Sequence, residues 1–188
     1  MDAPPELRLG PDAWIDAAYV AFERGGVGAI RVDPLAKALG ITRGSFYWHF
    51  KDRQALLRAV IDRWDATNTE ATIAENEAAG GAPAARLLRL LRTCATDDGR
   101  FEIGIRAWAK DDAGALDILE RIDERRIGYM ARLATEAGIA QEDARIRARV
   151  GYLAWLGSYM NAVSGNPAQR LADMDGLWHM MLEDAATE

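Results

Sequence analysis

The residues whose types and spacing could do chemistry lie in one run, T-R-G-S-F-Y-W-H-F-K at 42–51, directly after A-K-A-L-G-I. Phe46 and Phe50 stand four apart on one helical face, where with Leu35, Leu39 and Ile41 they can fill a small core. That leaves Arg43, Gly44, Tyr47 and Trp48 facing outward. An arginine beside two exposed aromatic rings suits a groove lined with phosphates and base edges better than it suits an inert surface. Elsewhere the inventory is thin. Two histidines, His49 and His179, and one cysteine, Cys94, form no recognisable catalytic group or zinc constellation. No catalytic residue, metal ligand or cofactor is therefore expected, and the chain does not read as an enzyme. His179 near Asp175 and Glu183 has a helical metal-ligand spacing, which an exposed polar face explains more simply. Cys94 reads as a small buried apolar residue beside Leu87 and Leu91 rather than as a redox sensor.

Short helices must hold that run in place. Asp33 followed by Pro34 marks a helix start, the carboxylate able to cap free N–H groups and the proline placed where a missing N–H costs nothing. The spacing predicts a helix over Leu35–Leu39. Gly40 supplies the left-handed backbone that closes it, and Thr42 caps the next helix, with Ile41 and Phe46 placed as a hydrophobic staple. A first helix, roughly Asp12 to Glu23, carries Trp14, Ala18, Ala21 and Phe22 on one side, ends before the glycines at 25, 26 and 28, and is expected to pack on this pair. G-G-V-G reads as a turn, because no strand precedes it and no lysine follows where a phosphate loop needs one.

The stretch from about Gly25 to Leu57 resembles the tetracycline-repressor (TetR) family of bacterial transcription regulators. The glycine-rich turn, the Leu-Ala pair at 35 and 36, the Leu-Gly pair at 39 and 40, the Tyr-x-His-Phe run ending at Phe50 and the Lys-x-x-x-x-Leu-Leu continuation fall where that family has them. The resemblance implies a helix-turn-helix on double-stranded DNA, with Arg43 and Ser45 on base edges and Thr42, Tyr47, His49 and Lys51 on phosphates. Gly44 would allow close backbone approach, and Trp48 could touch bases or phosphates, or pack. His49 also reads as a polar residue bonded locally at the helix end. A homodimer on an inverted-repeat operator, usually repressing, is the expected form. Beyond roughly residue 60 the resemblance is one of architecture only.

Charge distribution agrees with a DNA-facing amino terminus. The whole chain carries −6, yet residues 24–63 hold eight basic and three acidic residues, a net of +5 that leaves −11 on the remainder. At 188 residues, 49% hydrophobic and 28% charged, the composition is that of an ordinary soluble globular protein. A single cysteine excludes an internal disulfide and agrees with a reducing cytoplasm. Only Met1 to Pro11 looks loose, and M-D-A-P-P-E-L-R has neither the basic nor the apolar region of a secretory signal. Val150 to Gln169 is uncharged, but it is too polar and glycine-containing after its first part to span a membrane.

Helical spacing continues throughout, so the fold is expected to be all-α with about nine helices. The expected division is 1–51 as a three-helix DNA-binding domain and 52–188 as a helical ligand-binding and dimerisation domain. A long helix from near Asp52 to about Ala78, with Leu56, Val60, Ile61 and Trp64 inward, bridges the two. Gly80, Gly81 and Pro83 break the chain before helices at Ala84–Thr96, Arg100–Lys110 and Ala113–Ala137, the last with Leu119, Ile122, Met130 and Leu133 inward and Arg126 interrupting. The helix from about Glu142 to Val163 has two apolar faces, one of Ile146, Val150, Leu153, Gly157 and Met160, the other of Ala148, Tyr152, Trp155, Tyr159 and Ala162. Both must be covered, one by its own domain and one by a partner or cavity, and spacing does not decide which. The last helix, Pro167–Ala185, has Leu171, Met174, Trp178, Met181 and Leu182 as its stripe. By resemblance these last two helices form the homodimer interface.

Trp64, Phe101, Trp108, Tyr129, Trp155 and Tyr159 are candidate walls for an apolar or aromatic effector, ordinary core being the competing assignment. An effector would act by favouring a state whose helix-turn-helix spacing misfits the operator. A helical protein-binding adaptor without sequence-specific DNA binding is the alternative function.

Overall fold

In the computed structural model of this chain, residues 9–160 and 166–182 are described. Among them every regular element is helical, in nine helices when the interrupted fourth is taken as one. They are α1 (Pro11–Ala29), α2 (Val32–Leu39), α3 (Arg43–His49), α4 (Arg53–Asp65, continuing through a π segment Ala66–Glu70 into Ala71–Ala78), α5 (Pro83–Ala95), α6 (Arg100–Ala109), α7 (Ala113–Glu136), α8 (Gln141–Met160) and α9 (Pro167–Leu182). The looseness expected of the amino terminus falls mostly on residues 1–8, outside the described residues, as do Ala162, Val163, Glu183 and Ala185. No described helix is long and apolar enough to cross a membrane.

Thr42 occupies the N-cap position of α3 but makes no side-chain cap bond, and two further local details depart from the sequence reading. α1 does not stop before the glycines. Gly25 and Gly26 break its helical geometry, Gly26 at φ +62°, and one further turn follows to Ala29. That turn is pinned from α4, where Arg53 donates to the carbonyls of Ile30 at 2.6 Å and Val27 at 2.5 Å. Asp33 is not the cap of α2. Arg31 takes the N-cap position without a side-chain bond, and Asp33 lies in the first turn, 3.6 Å from the Arg43 guanidinium. Gly40 is left-handed at φ 68°, as the turn requires. Asp52 caps α4 through Ala55 N–H at 2.8 Å.

Two apolar cores organise the molecule. The first joins α1–α4 to α6 and the start of α7, through Trp14, Phe22, Phe46, Trp64, Phe101 and Trp108 among others. Phe101 is its hinge, with ring centroids 4.3 Å from Tyr19, 4.3 Å from Phe22 and 6.0 Å from Trp64. α6 comes so close to α1 that a Cβ on Gly104 would stand 2.7 Å from the Phe22 ring. The second core lies between α5, the rest of α7, α8 and α9, around Leu87, Leu91, Leu133, Tyr152 and Met181. The segment carrying the candidate DNA contacts is therefore packed continuously onto helices that reach the second core.

Candidate functional site

α3 is seven residues long, too short to persist alone, and is held by what it buries. Phe46 is fully buried, edge-on to Trp14 at 5.2 Å and stacked on Phe50 at 5.5 Å. These two phenylalanines are core, as their spacing predicts. With that side committed, the opposite side is exposed: Tyr47 at 54% and Trp48 at 87%, with Thr42, Arg43, Gly44, His49 and Lys51 also exposed and Ser45 half-buried. The eight residues singled out from the sequence thus occupy one short helix and its flanks. Arg43 donates to the Tyr47 hydroxyl at 3.2 Å and stands near Asp33, both of which hold its guanidinium above its ordinary pKa. It is a cation fixed at the surface by two weak neighbours. His49 Nε2 lies 3.0 Å from the Leu9 carbonyl, a bond back to the start of α1 rather than to its own helix end. Gly44 has no internal reason to be glycine, since a Cβ there would meet only the Thr42 hydroxyl at 3.7 Å.

A second feature lies about the π segment of α4. A partly open cavity of about 200 Å³ is walled by α4, α5, α7 and α8. Of the six aromatic residues proposed as pocket walls, Tyr129 and Trp155 line it. Trp64, Phe101 and Trp108 do not, because the first core consumes their surface. Tyr159 is half-buried beside the cavity with its hydroxyl 3.4 Å from the Cys94 carbonyl, and is not a wall. Walls that the sequence reading passed over include Thr69, Arg126 and Tyr152. Arg126, read as an interruption of an apolar stripe, is the signal that was available: a cation on an inward position must be paired.

Its partners lie partly on the cavity wall and partly behind it. Arg126 gives Nε to the Thr69 hydroxyl at 2.9 Å and Nη1 to Glu102 at 2.9 Å, and lies over the rings of Trp64 at 4.7 Å and Trp155 at 5.7 Å. Glu102, buried, also accepts from Arg106 at 2.7 Å, and Arg106 holds Asp123 in a fork at 3.0 and 2.7 Å. The Tyr152 hydroxyl closes the network, donating to Asp123 at 2.7 Å and accepting from Arg106 at 2.9 Å. Burial works against both guanidinium charges, but the carboxylates outweigh it and both arginines sit above their ordinary pKa. Tyr152 is pushed up, chiefly by burial, and stays a neutral phenol. Cys94, another wall, has its thiol pushed up to about 11 by burial, so it is inert at neutral pH.

The third feature is a face of α8. Its two apolar stripes separate cleanly. Ala148 and Tyr152 are buried and Trp155 and Tyr159 half-buried, while Ile146, Val150, Leu153 and Met160 are 57, 57, 57 and 75% exposed. The stripe of Ile146, Val150, Leu153 and Met160 is the one that faces outward. On α9, Met174, Leu177, Met181 and Leu182 are buried, and Leu171 and Met180 are exposed. The His179 metal reading loses Asp175, whose carboxylate is held by Arg92 at 2.7 and 3.0 Å. No group of three or more metal-ligating residues occurs among the described residues.

Residues 15–60 match the model of the bacterial regulatory proteins, tetR family. Over 63 residues the chain is 38% identical to the HTH-type transcriptional regulator AcrR of Shigella flexneri, covering 34% of this chain and 27% of that one. Over 54 residues it is 37% identical to the HTH-type transcriptional regulator TtgR of Pseudomonas putida, covering 29% and 26%. The chain thus spans about a quarter of the length of the curated relatives it matches. Similar folds include a transcriptional regulator from Rhodococcus sp. Rha1, with TM-score 0.79, 16% identity and coverage of 93% of this chain and 97% of the other. The reduced form of Escherichia coli NemR is similar at TM-score 0.70 and 16% identity, covering 89% and 96%.

Proposed function

From the premise that this chain belongs, through its residues 15–60, to the tetR family of bacterial regulatory proteins, we propose that it is a DNA-binding transcriptional regulator acting as a homodimer. The observation that carries this is α3: one side locked into the core by Phe46 and Phe50, the other presenting Arg43, Tyr47 and Trp48 in the most basic part of the chain. Arg43 and Ser45 are assigned to base edges, and Thr42, Tyr47, His49 and Lys51 to phosphates, with Gly44 at the closest backbone approach and Trp48 at either. Ser45 reaches bases only from the helix edge, because it is half-buried.

The exposed stripe of α8, with Leu171 and Met180 on α9, supports pairing of two copies through these helices. Two α3 helices held in this way would read half-sites roughly 34 Å apart on an inverted repeat. The division into residues 1–51 for DNA and 52–188 for pairing and effector binding is part of the same proposal. Its regulatory arm is the cavity. α4 runs from its cap beside α3 to the cavity wall at Thr69, so an occupant that shifts α4 alters the α3 spacing. Repression, with release by a small apolar or aromatic effector, is the expected sign. An adaptor without DNA specificity would leave the surface of α3 without a use.

The test is binding of the purified protein to DNA from upstream of its own gene at two salt concentrations, with Arg43→Ala/Tyr47→Ala as control. Steep salt dependence that the control abolishes supports the proposal. Failure on that fragment and on a randomised DNA library overturns it in favour of the adaptor.

A further inference from the structure

The cavity's walls set the chemistry of what it takes. Its volume of about 200 Å³ lies below the roughly 300–1,000 Å³ of pockets for drug-sized ligands, which restricts an occupant to one or two rings. Its interior is mainly apolar, with the rings of Tyr129, Tyr152 and Trp155 set among aliphatic walls such as Leu90, Leu91 and Met130.

The charges decide the rest. Arg126 and Arg106 are matched one for one by Glu102 and Asp123. Of these four only Arg126 is itself a wall; the other charged wall, Asp97, is an anion whose carboxylate accepts from the Gly99 N–H at 2.8 Å. The groups facing the cavity therefore sum to no positive charge. A carboxylate on Arg126 would add an anion to a site whose cation is already neutralised by Glu102 and which also holds Asp97, and an ammonium would sit against the Arg126 guanidinium; both are disfavoured where water is largely excluded. A neutral molecule avoids both costs. Arg126 still has something to offer it: its Nη2 hydrogen-bonds to no described residue, and its side chain, 11% exposed, lines the cavity. That donor calls for an acceptor.

We propose that the cavity binds a neutral one- or two-ring aromatic molecule carrying a single hydrogen-bond acceptor, its ring against Trp155 and Tyr129 and its acceptor on Arg126 Nη2. This rests on the reading of the carboxy-terminal helices as an effector domain and names the effector's class.

Three probes of nearly equal shape separate the terms: acetophenone, neutral with a carbonyl acceptor; benzoate, its anionic counterpart; and cumene, which has no acceptor. Calorimetric titration of the full-length protein is expected to show acetophenone binding about tenfold tighter than either of the others, the worth of roughly one hydrogen bond to a charged donor. Thr93→Trp, which fills the cavity from an exposed wall position without touching the ion network, is expected to abolish binding of all three. The charge-balanced Glu102→Gln/Arg126→Gln pair is expected to lose the preference for acetophenone over cumene. If that pair fails to fold, the wild-type ranking and Thr93→Trp still decide. Benzoate equal to or tighter than acetophenone, cumene equal to acetophenone, or no binding by any probe overturns the proposal. DNA binding is measured separately. A protein that binds operator DNA but none of the probes refutes the effector class alone. One that binds acetophenone but selects nothing from a DNA library refutes the regulator reading and leaves the cavity assignment standing.

Discussion

Two faces of this molecule expose apolar side chains, and what accompanies those side chains differs. On α3 the exposed rings of Tyr47 and Trp48 are interleaved with Arg43, and Lys51 follows. On α8 the exposed side chains Ile146, Val150, Leu153 and Met160 form an aliphatic stripe about four turns long. A ring beside a cation can meet a wet, anionic and geometrically demanding partner, because it offers hydrogen bonds and polarisable area together. An aliphatic stripe offers only area, and area is rewarded when the partner is equally apolar, as a second copy of the same stripe is. The first surface should respond to salt and to the loss of single charges; the second should be indifferent to salt and intolerant of an introduced charge.

The largest break in that comparison is a charge placed in the aliphatic stripe. Leu153→Glu should dissociate the dimer, weakening it by on the order of a hundredfold as a central interface position does. The monomer's thermal stability should be nearly unchanged, because the side chain is exposed in the single chain. Sedimentation velocity reads the first effect and a melting curve the second. A dimer that survives the substitution places the interface elsewhere. Operator affinity should fall with the dimer, since each half-site alone is weak.

Arg43→Ala should act in the opposite way, with the dimer intact and operator affinity lower by about ten- to a hundredfold, the worth of roughly one base contact. Its fold should be untouched, because among the described residues the side-chain bonds of Arg43 go to Tyr47 and Asp33 at the surface. Fluorescence anisotropy at a series of salt concentrations is the measurement. Log affinity should fall with log salt at a slope of roughly −0.9 per phosphate contacted, while the dimer constant barely moves. A salt-insensitive complex would mean that α3 meets something other than DNA.

Much of this division was legible in the sequence, for a physical reason. Burial leaves a periodic trace, so the nine helices of the described residues, the Gly40 turn, the inward Phe46 and Phe50 and the two faces of α8 could all be read from spacing. Which face of α8 is exposed could not be read, because both are apolar and only the third dimension says which one meets α7. Departures from periodicity left no such trace. The π segment at Ala66–Glu70 is a change of hydrogen-bond register inside an unbroken helix, and the extra turn after Gly26 depends on Arg53, distant in sequence. The cavity was half-legible. Aromatic residues were sought as its walls, yet Trp64, Phe101 and Trp108 went to the first core, while the decisive walls, Arg126 and Tyr152, belong to an ion network assembled from three helices.

Gly44→Ala sharpens the same contrast with two effects of opposite sign. In the free protein a Cβ at this position meets only the Thr42 hydroxyl at 3.7 Å, so alanine should fit and stabilise α3 by about 0.5–1 kcal/mol through the backbone entropy it removes. Against DNA the same methyl group should hold the backbone off the phosphate, lowering affinity by about tenfold, the worth of about one hydrogen bond to a charged group. A melting temperature that rises while affinity falls is the expected pair of readings. If affinity is unchanged, DNA does not approach the helix at Gly44.

The smallest effect comes from Asp33, and its sign is the informative part. Its carboxylate stands 3.6 Å from the Arg43 guanidinium with both side chains more than half exposed. Such a pair adds little to stability. It does compete for Arg43, and it sets a negative charge beside a surface that is to meet phosphate. Asp33→Asn removes the competitor and the repulsion together, so operator affinity should rise by about two- to threefold with the melting curve unchanged. The gain should shrink as salt screens the charge and should vanish in the Arg43→Ala background, apart from the general field. A loss of affinity instead would mean that Asp33 orients Arg43 for its base contact, which would make this ion pair part of the reading surface of α3.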